Sequence, residues 1–364
     1  MKNVFLLTNQ TPLKRGWNDF YPLIKWANEF SSYNTQFKFC KNIKALETNK
    51  LQIDVLIIDY RHLREQYGSK LWLSGTQYEI ISIINNLKKI CGKIILFDSG
   101  DSSGSRLFWL TPYVDIHLKK QLLKNKAQYS ENNGDESVMC WIGKNYTPSN
   151  IPYTPLRTED QTKLKVAWNI GLLDYRSFPL AKYYPIGTSG IFNRVYKLPR
   201  FKTDFDKKNI LTVYRGTTSS DSRYSCQRNT LIDKLKKMSV DNKKIITGST
   251  ISQNKYIKEI DKSKALISPF GWGEVCYRDF ESIINGSILI KPSMAHLETY
   301  PDIYRNNFSY IEIDWEFNGL ESVLNKIEEN YRKYYEILFN AQNILKEAYT
   351  DSNTFVNRFL SAIE

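Results

Sequence analysis

The sequence predicts an α/β fold made of two similar halves followed by helices. Short runs of β-branched residues recur with helix-length intervals between them, which is typical of strands and helices that alternate around parallel sheets. An irregular stretch at residues 183–206 interrupts this alternation, which then begins again. From residue 319 onward only helical spacing remains. We therefore expect two Rossmann-like, doubly wound domains that face each other across a cleft, with C-terminal helices.

The first half contains apolar, β-branched runs of strand length. Strands are predicted at residues 3–7, 54–58, 93–97, 114–118 and 165–170. A helix is predicted over residues 72–87, because apolar residues recur there at helical spacing and Lys88 and Lys89 follow, as a helix C-terminus favours. The first half is therefore expected to consist of βα units.

The second half repeats the same alternation. Strands are predicted at residues 210–214, 244–247, 265–268 and 287–291, and helices at residues 228–238, 252–261 and 277–285. The predicted boundaries are an N-terminal domain at 1–182, a linker at 183–206, a C-terminal domain at 207–318, and helices at 319–364 that pack back on the first domain.

Composition limits the class of protein. The chain has 364 residues, of which 41% are hydrophobic, so a full globular core is expected and disordered or collagen-like classes are excluded. With 51 Lys and Arg against 38 Asp and Glu, the net charge is +13, which suits nucleic acid, an anionic lipid surface or phosphorylated substrates. Five cysteines stand singly without C-x-x-C spacing, which indicates neither a disulfide framework nor a zinc site.

The apolar runs of the chain are short. None approaches the roughly 18 residues that a membrane-spanning helix needs, so an integral membrane protein is not expected. The first run, residues 4–7, is too short for a signal peptide, and we expect a cytoplasmic protein with at most peripheral contact with the inner face of a membrane.

The most informative segment is residues 268–281, which read SPFGWGEVCYRDFE. A predicted strand ends there, a glycine-containing turn follows, and a helix begins between Glu274 and Tyr277. A helix N-terminus with free backbone amides binds anions, and Arg278 would add a positive charge. Glu281, one turn further on, could accept two hydrogen bonds from the hydroxyls of a ribose or a sugar. The alternative is a tight turn with Trp272 packed in the core.

The run from Phe270 to Pro292 resembles the donor-binding region of GT-B glycosyltransferases, and most of all exostosin-like enzymes and transferases of bacterial polysaccharide clusters. The likeness covers about residues 210–305 and includes an upstream arginine-bearing loop. Retaining members of that superfamily often have two glutamates with seven residues between them, whereas Glu274 and Glu281 have six. Glu281 then matches the ribose-binding position, and the role of Glu274 stays open.

The resemblance implies a glycosyltransferase that moves a sugar from a nucleotide-sugar donor to a glycan or glycolipid acceptor. It implies no cofactor and no metal, because the helix dipole and arginine stabilise the leaving diphosphate. The first candidate for contact with the diphosphate is Arg215, followed by Arg278 and then Arg223. The predicted donor-binding residues are Arg215, Gly216, Arg223, Gly271, Trp272, Gly273, Glu274, Arg278, Glu281 and His296.

Two features leave alternatives open on the donor side. Asp204 and Asp206 form the D-x-D pattern of metal-dependent transferases, but they precede a strand instead of following one. His296 follows a strand end and could line the donor pocket, or it could be a packed or surface residue. Three histidines in all, without metal-ligand spacing, argue against a zinc hydrolase.

A general base is expected from the facing domain, at the carboxyl ends of its strands. Asp98 and Asp101 follow the predicted strand at 93–97, and a carboxylate sheltered in a cleft has its pKa raised toward the working pH. His62, together with Asp59, is a second candidate after the strand at 54–58. The alternative is that these carboxylates cap turns or pair with a neighbouring cation. The sequence leaves inversion and retention open.

Two other functions stay open at this point. A phage-type transferase that glycosylates hydroxylated DNA bases would use the same chemistry, and the positive net charge suits it. A non-catalytic protein that binds a nucleotide or sugar could retain the same fold.

Overall fold

The structure is a computed structural model of the chain. It describes residues 1–9, 19–43, 46, 53–131, 153–173, 198–217 and 222–364, with residues 222–224 described in their backbone only. The strands are β1 (Lys2–Leu7), β2 (Thr35–Cys40), β3 (Ile53–Asp59), β4 (Cys91–Asp98), β5 (Ile116–Lys119), β6 (Gln121–Leu123), β7 (Leu164–Val166), β8 (Ile210–Arg215), β9 (Ile245–Gly248), β10 (Ser263–Ile267), β11 (Ile288–Pro292), β12 (Leu297–Thr299) and β13 (Ile311–Ile313).

The α-helices connect these strands and close the chain. They are α1 (Tyr21–Lys25), α2 (Ala27–Ser32), α3 (Tyr60–Tyr67), α4 (Ser74–Leu87), α5 (Ser222–Asp241), α6 (Gln253–Asp261), α7 (Tyr277–Ile284), α8 (Leu320–Glu329), α9 (Tyr335–Thr350) and α10 (Ser352–Ile363).

Two parallel sheets organise the fold. The first has the order β2-β1-β3-β4-β5-β7 and the second has the order β13-β11-β10-β8-β9. In each sheet the chain adds a strand on one side of the first strand and then continues on the other side. This topological switch point lies between β1 and β3 in the first sheet and between β8 and β10 in the second. Ligands of doubly wound sheets bind beyond the carboxyl ends of the strands at such switch points. The predicted fold, two Rossmann-like α/β units with C-terminal helices, is confirmed.

Some elements differ from the sequence prediction. Strand β7 is shorter than predicted because the Asn169 side chain accepts a hydrogen bond from the Gly171 N–H, at 2.8 Å, and turns the chain. Strands β2 and β13, helix α3 and the antiparallel pair of β6 with β12 were not predicted. The predicted domain boundaries stay a prediction, and most of the predicted linker, residues 183–197, lies outside the described residues.

The two halves share an apolar core. One cluster of buried side chains joins residues of the first half, such as Leu122 and Tyr129, to Phe280 and Leu289 of the second half and Leu345 of α9. The β6–β12 pair lies beside this cluster and links the two halves by backbone hydrogen bonds. The first half and the second half are therefore held together by apolar packing as well as by polar contacts.

The last helix returns to the first sheet. Phe355 and Phe359 of α10 pack against Phe30, Phe37 and Trp168, with ring centroids 5.5 Å apart between Phe30 and Phe359 and between Phe355 and Trp168. Helix α10 therefore covers one face of the first sheet.

Within the described ranges, none of the helices combines the length and the apolar character that crossing a bilayer requires.

Candidate active site

An open pocket of about 490 Å³ lies at the carboxyl ends of β8, β9 and β10, at the switch point of the second sheet. This volume is in the range of small-molecule sites. The first half contributes Asp101 and Ile170 to its wall. The second half contributes Arg215, Arg228, Thr250, Ile251, Gln253, Tyr256, Pro269, Gly271, Trp272, Gly273, Val275, Cys276, Tyr277, Arg278 and Glu281.

Arg215 is the predicted first contact for a diphosphate, and its charge is already compensated. Its Nε and Nη2 atoms lie 2.8 Å and 2.5 Å from the two carboxylate oxygens of Glu259 on α6. The hydrogen bond that Arg215 donates to Glu259 raises the pKa of Arg215. Arg215 thus lines the pocket as half of an ion pair. Sequence reasoning missed Glu259, because no local pattern relates it to Arg215.

Arg278 and Arg228 provide uncompensated positive charge in the pocket wall. Arg278 lies over the Tyr214 ring at 4.6 Å and donates to the Arg215 carbonyl at 2.9 Å, while its buried Nε has no partner among the described residues. Arg228 donates from Nε to the Phe270 carbonyl at 3.3 Å. In the described part of the chain, no carboxylate forms a salt bridge with either arginine. An anion entering the pocket therefore meets two guanidinium groups that no carboxylate of the described residues neutralises.

The turn after β10 lines the pocket as predicted, but helix α7 begins with its own carboxylate. The Asp279 side chain accepts from the Cys276 N–H at 3.0 Å, and it is buried against Lys291, whose Nζ lies 3.2 Å away. The first turn of α7 is thus already capped, which reduces the predicted contribution of the helix dipole to anion binding. Trp272 is 58% exposed and lines the pocket, so the alternative of a core tryptophan is wrong.

Glu281 lines the pocket on α7, where it was predicted to accept hydrogen bonds from sugar hydroxyls. The Tyr256 hydroxyl donates to its Oε2 at 3.2 Å. Burial raises the pKa of Tyr256 to about 12, so this phenol stays a donor at neutral pH. The pocket therefore contains an oriented carboxylate beside the two arginines.

Glu274 does not line the pocket, as far as the described residues define it, although its neighbours Gly273 and Val275 do. Its side chain is fully buried and accepts hydrogen bonds from Ser103 of the first half. The turn directs this carboxylate away from the pocket and into the contact between the halves. Its assignment as a donor-binding residue is therefore corrected.

Two other predicted donor residues, Gly216 and His296, are not among the described residues that line the pocket. Gly216 follows β8, and a Cβ there would lie 2.8 Å from the Tyr214 hydroxyl, so glycine is needed for packing. His296 lies at the start of β12, where its carbonyl accepts from the Lys124 N–H at 2.9 Å, and burial lowers its pKa. The side chain of Arg223 lies outside the described residues.

Asp101 is the carboxylate that the first half presents to the pocket. Its side chain is 59% exposed, and its Oδ1 lies 3.7 Å from the Nζ of Lys120. Solvent access and a place in the pocket wall are what a proton acceptor for a bound hydroxyl requires. The structure brings this candidate base together with the two uncompensated arginines.

Asp98 is the other predicted base, and the structure gives it a different role. It is 3% exposed, and its Oδ2 lies 2.9 Å from Lys119 Nζ and 2.6 Å from the Ser105 hydroxyl. Burial acts to raise the pKa of Asp98, but Lys119 and His117 outweigh it and hold the pKa well below its usual range. The carboxylate is occupied by buried partners, so it is unsuited to accept a proton from a substrate.

We expect Asp98→Asn to lower the free energy of unfolding by about 3–5 kcal/mol, because fully buried Lys119 would lose its counterion. Urea denaturation would measure this, with Asp101→Asn as the control from the same loop, expected to be nearly neutral for stability. The pKa of Asp98 is lower in the folded protein than in the unfolded chain. Its ionised carboxylate therefore stabilises the fold fully at pH values above its unfolded pKa of about 4, and this stabilisation is lost as the pH falls through the folded pKa. A stability equal to wild type at pH 7 would contradict the assignment.

His62 is also corrected as a base candidate. It is 3% exposed on α3, it does not line the pocket within the described residues, and burial lowers its pKa. The neighbouring Asp59 is buried as well and accepts from the Thr8 hydroxyl at 2.7 Å. Burial raises the pKa of Asp59 to about 7. The Asp59 carboxylate links the ends of β1 and β3 through Thr8, and neither side chain lines the pocket within the described residues.

A buried polar cluster beside Asp101 was missed by the sequence analysis. Asp19 bridges Arg61 Nε at 3.0 Å and Lys120 Nζ at 3.2 Å, and Lys120 in turn reaches Asp101. The only sequence feature that could have indicated this cluster is the position of Lys120 directly after β5. This cluster fixes the charge environment of Asp101 from the side of the first half.

The described residues contain no cluster of three or more His, Cys, Asp or Glu side chains suited to hold a metal ion. The D-x-D pair does not face the pocket: Asp204 pairs with Lys207, and Asp206 accepts from the Tyr335 hydroxyl at 2.9 Å on the outer surface.

These observations define an α/β protein with two parallel sheets and a pocket at the switch point of the second sheet, which the first half helps to line. No protein-family model and no curated protein matches the sequence, so the exostosin-like subtype stays a prediction.

Solved structures similar in fold include T4 phage beta-glucosyltransferase, with TM-score 0.48, 12% identity and 100% of both chains covered. T4 phage BGT with its UDP-glucose substrate gives TM-score 0.47 and 11% identity, again over 100% of both chains. A glycosyltransferase from Rickettsia africae gives TM-score 0.46 and 10% identity over 99% of this chain and 97% of that one. Likeness at this level carries no information on substrate.

Proposed function

We propose that this protein is a glycosyltransferase that binds a nucleotide-sugar donor in the pocket and transfers its sugar to a hydroxyl of a glycan or glycolipid. The observation that carries the proposal is that Arg228 and Arg278, which form no salt bridge with a carboxylate of the described residues, line one pocket together with a solvent-accessible carboxylate, Asp101. This is the pairing that departure of an anionic leaving group and activation of a hydroxyl require.

The diphosphate of the donor fits the arginine side of the pocket. A nucleoside diphosphate gains negative charge as it leaves, and fixed guanidinium groups stabilise that charge in place of a metal. Arg278 lines the pocket and provides a guanidinium for a phosphate oxygen, and the Tyr214 ring beneath holds that guanidinium in place. Arg215 contributes less, because Glu259 already compensates it.

The sugar part of the nucleoside fits Glu281. Its carboxylate lies in the pocket one turn beyond Arg278, where it can accept hydrogen bonds from two adjacent hydroxyls. The Tyr256 contact fixes the orientation of this carboxylate.

The transfer itself is assigned to Asp101. Its carboxylate takes the proton of the acceptor hydroxyl, the acceptor oxygen forms a bond to the anomeric carbon, and the bond from that carbon to the diphosphate oxygen breaks with its electron pair. This single displacement inverts the anomeric configuration. The diphosphate leaves with its charge stabilised by Arg278 and Arg228.

We expect Arg278→Ala and Arg228→Ala each to weaken nucleotide binding about 10- to 100-fold, because each removes a charge-assisted contact. Arg215→Ala should have the smaller effect. The measurement is a thermal-shift screen against UDP, GDP, CMP, ADP and dTDP sugars, with and without divalent metal, followed by calorimetry. Arg332→Ala, at a side chain 80% exposed, is the matched control.

The screen has two informative outcomes. A metal-independent shift with one nucleotide class that is lost in the pocket variants supports the proposal. Absence of a shift with every nucleotide, or unchanged affinity in both Arg278→Ala and Arg228→Ala, contradicts it.

Transfer to hydroxylated DNA bases is the second candidate, and the net charge of +13 favours it. Binding of such DNA that falls steeply with salt, with turnover of the bases, would select this acceptor class. Weak and salt-independent binding would remove it. Cytoplasmic residence, with at most peripheral membrane contact, accompanies both proposals.

A further inference from the structure

Glu274 connects the pocket turn of the second half to the Asp101 loop of the first half, residues 99–104. It is fully buried, and its Oε2 accepts from the Ser103 N–H at 2.9 Å while its Oε1 accepts from the Ser103 hydroxyl. The two oxygens of the Glu274 carboxylate thus accept hydrogen bonds from the backbone N–H and from the hydroxyl of the same residue, Ser103. Ser103 is two positions from Asp101, so this contact fixes the loop that presents the candidate base.

Further contacts fix the same loop. Gln121 donates from Nε2 to the Asp101 carbonyl and also lies 3.5 Å from Glu274 Oε2. The Tyr129 hydroxyl donates to the Ser103 carbonyl at 2.8 Å and accepts from the Leu123 N–H at 2.6 Å. The backbone from the Asp101 carbonyl to Ser103 is therefore anchored, although the Asp101 side chain itself is exposed.

The backbones of the two halves meet at the same point. A Cβ at Gly273 would lie 1.5 Å from the Asp101 carbonyl oxygen, so the pocket turn rests directly on the loop. The next residue in the turn is Glu274. Since no cation forms a salt bridge with Glu274 in the described residues, its buried charge is stabilised by Ser103 and Gln121. Charge-assisted hydrogen bonds of this kind are stronger than neutral ones.

We propose that Glu274 is a positioning residue: it holds the Asp101 loop against the pocket turn and so sets the place of the Asp101 carboxylate relative to the donor. The catalytic part of this inference rests on the proposed function, and the structural part does not. Glu274 touches neither donor nor acceptor, and it acts through Ser103 and the backbone of Asp101.

The first test is structural and does not depend on activity. Amide hydrogen exchange is measured on the full chain for wild type, Glu274→Ala and Glu274→Gln. In Glu274→Ala the amides of residues 101–103 should exchange faster, while the Ile94 amide, bonded to Asp115 at 2.7 Å, keeps its wild-type rate. Glu274→Gln should restore protection, because its amide oxygen accepts from the Ser103 N–H and its NH₂ donates to the Ser103 hydroxyl.

The second test measures hydrolysis of the nucleotide sugar that the wild type binds best, with water as acceptor. Glu274→Ala should lower kcat about 10- to 100-fold with KM nearly unchanged, because a misplaced base slows the reaction without weakening donor binding. Glu274→Gln should recover most of kcat. In the Asp101→Asn background, Glu274→Ala should have little further effect, because it acts through Asp101. Glu329→Ala, at an exposed glutamate, is the matched control.

The outcomes separate the two proposals. If the wild type binds and hydrolyses a nucleotide sugar but Glu274→Ala leaves kcat and the 101–103 amides unchanged, the positioning role is overturned and the proposed function stands. If the exchange result is as expected but the wild type binds no nucleotide sugar, the proposed function and the catalytic role of Glu274 fail, and only its contact with Ser103 remains. Uniformly faster exchange over the whole chain in Glu274→Ala would indicate general destabilisation and overturn the positioning role.

Discussion

Gly273→Ala is expected to abolish most of the turnover and to lower the free energy of unfolding by about 1–3 kcal/mol or more. The added Cβ would lie 1.5 Å from the Asp101 carbonyl oxygen. The Cβ is fixed to its Cα and the oxygen belongs to the backbone, so neither can rotate aside as the end of a long side chain would. The turn and the Asp101 loop must separate, and a displacement of about 1 Å at a catalytic group costs roughly 100-fold in rate. Urea denaturation and nucleotide-sugar hydrolysis measure the two effects.

The matched control for this substitution is Gly75→Ala, where a Cβ would meet nothing within 4 Å. Gly75 lies in α4, so alanine there should be neutral or stabilising by up to about 1 kcal/mol. A Gly273→Ala protein with wild-type stability and turnover would show that the two halves do not meet at this point.

Asp101→Asn is expected to lower kcat about 10²- to 10⁴-fold while nucleotide affinity stays within about twofold of wild type. The amide has nearly the same shape as the carboxylate but cannot accept the hydroxyl proton. The Lys120 contact is 3.7 Å long and the side chain is exposed, so its loss should change stability little. Single-turnover kinetics together with calorimetric titration of the nucleotide separate rate from binding.

Asp233→Asn, at an exposed position of α5, is the control for the chemical change itself. If Asp101→Asn keeps wild-type turnover, base catalysis by this residue is excluded. Retention by attack on the same face of the sugar then becomes the preferred mechanism.

The sequence predicted the fold because local patterns determine most of it. Buried parallel strands read as continuous apolar runs, as in β3 and β4, and these runs are visible without tertiary information. The pocket turn at residues 268–281 was also recognisable, since its glycines and Arg278 lie within one strand-turn-helix unit. Strands β2 and β13 escaped for different reasons: β2 is an edge strand in which polar residues interrupt the apolar ones, and β13 has only three residues.

The site was predicted less completely because long-range partners decide what each charged residue does. Asp98 and Asp101 lie in one loop, yet the register of β4 with β5 pairs Asp98 with Lys119 and leaves Asp101 exposed. Glu274 meets Ser103, which is 171 positions away. No periodicity or motif in a single sequence records such pairings.

The position of α10 has a consequence for the order in which the protein is made. The face of the first sheet that bears Phe30, Phe37 and Trp168 is covered by Phe355 and Phe359, which are translated roughly 300 positions after Phe30. At about 5–20 residues per second, this apolar face stays bare on the ribosome for on the order of tens of seconds. The first half therefore completes this part of its core only after α10 has been made, and chaperones that bind nascent chains have an exposed aromatic surface to protect during that interval.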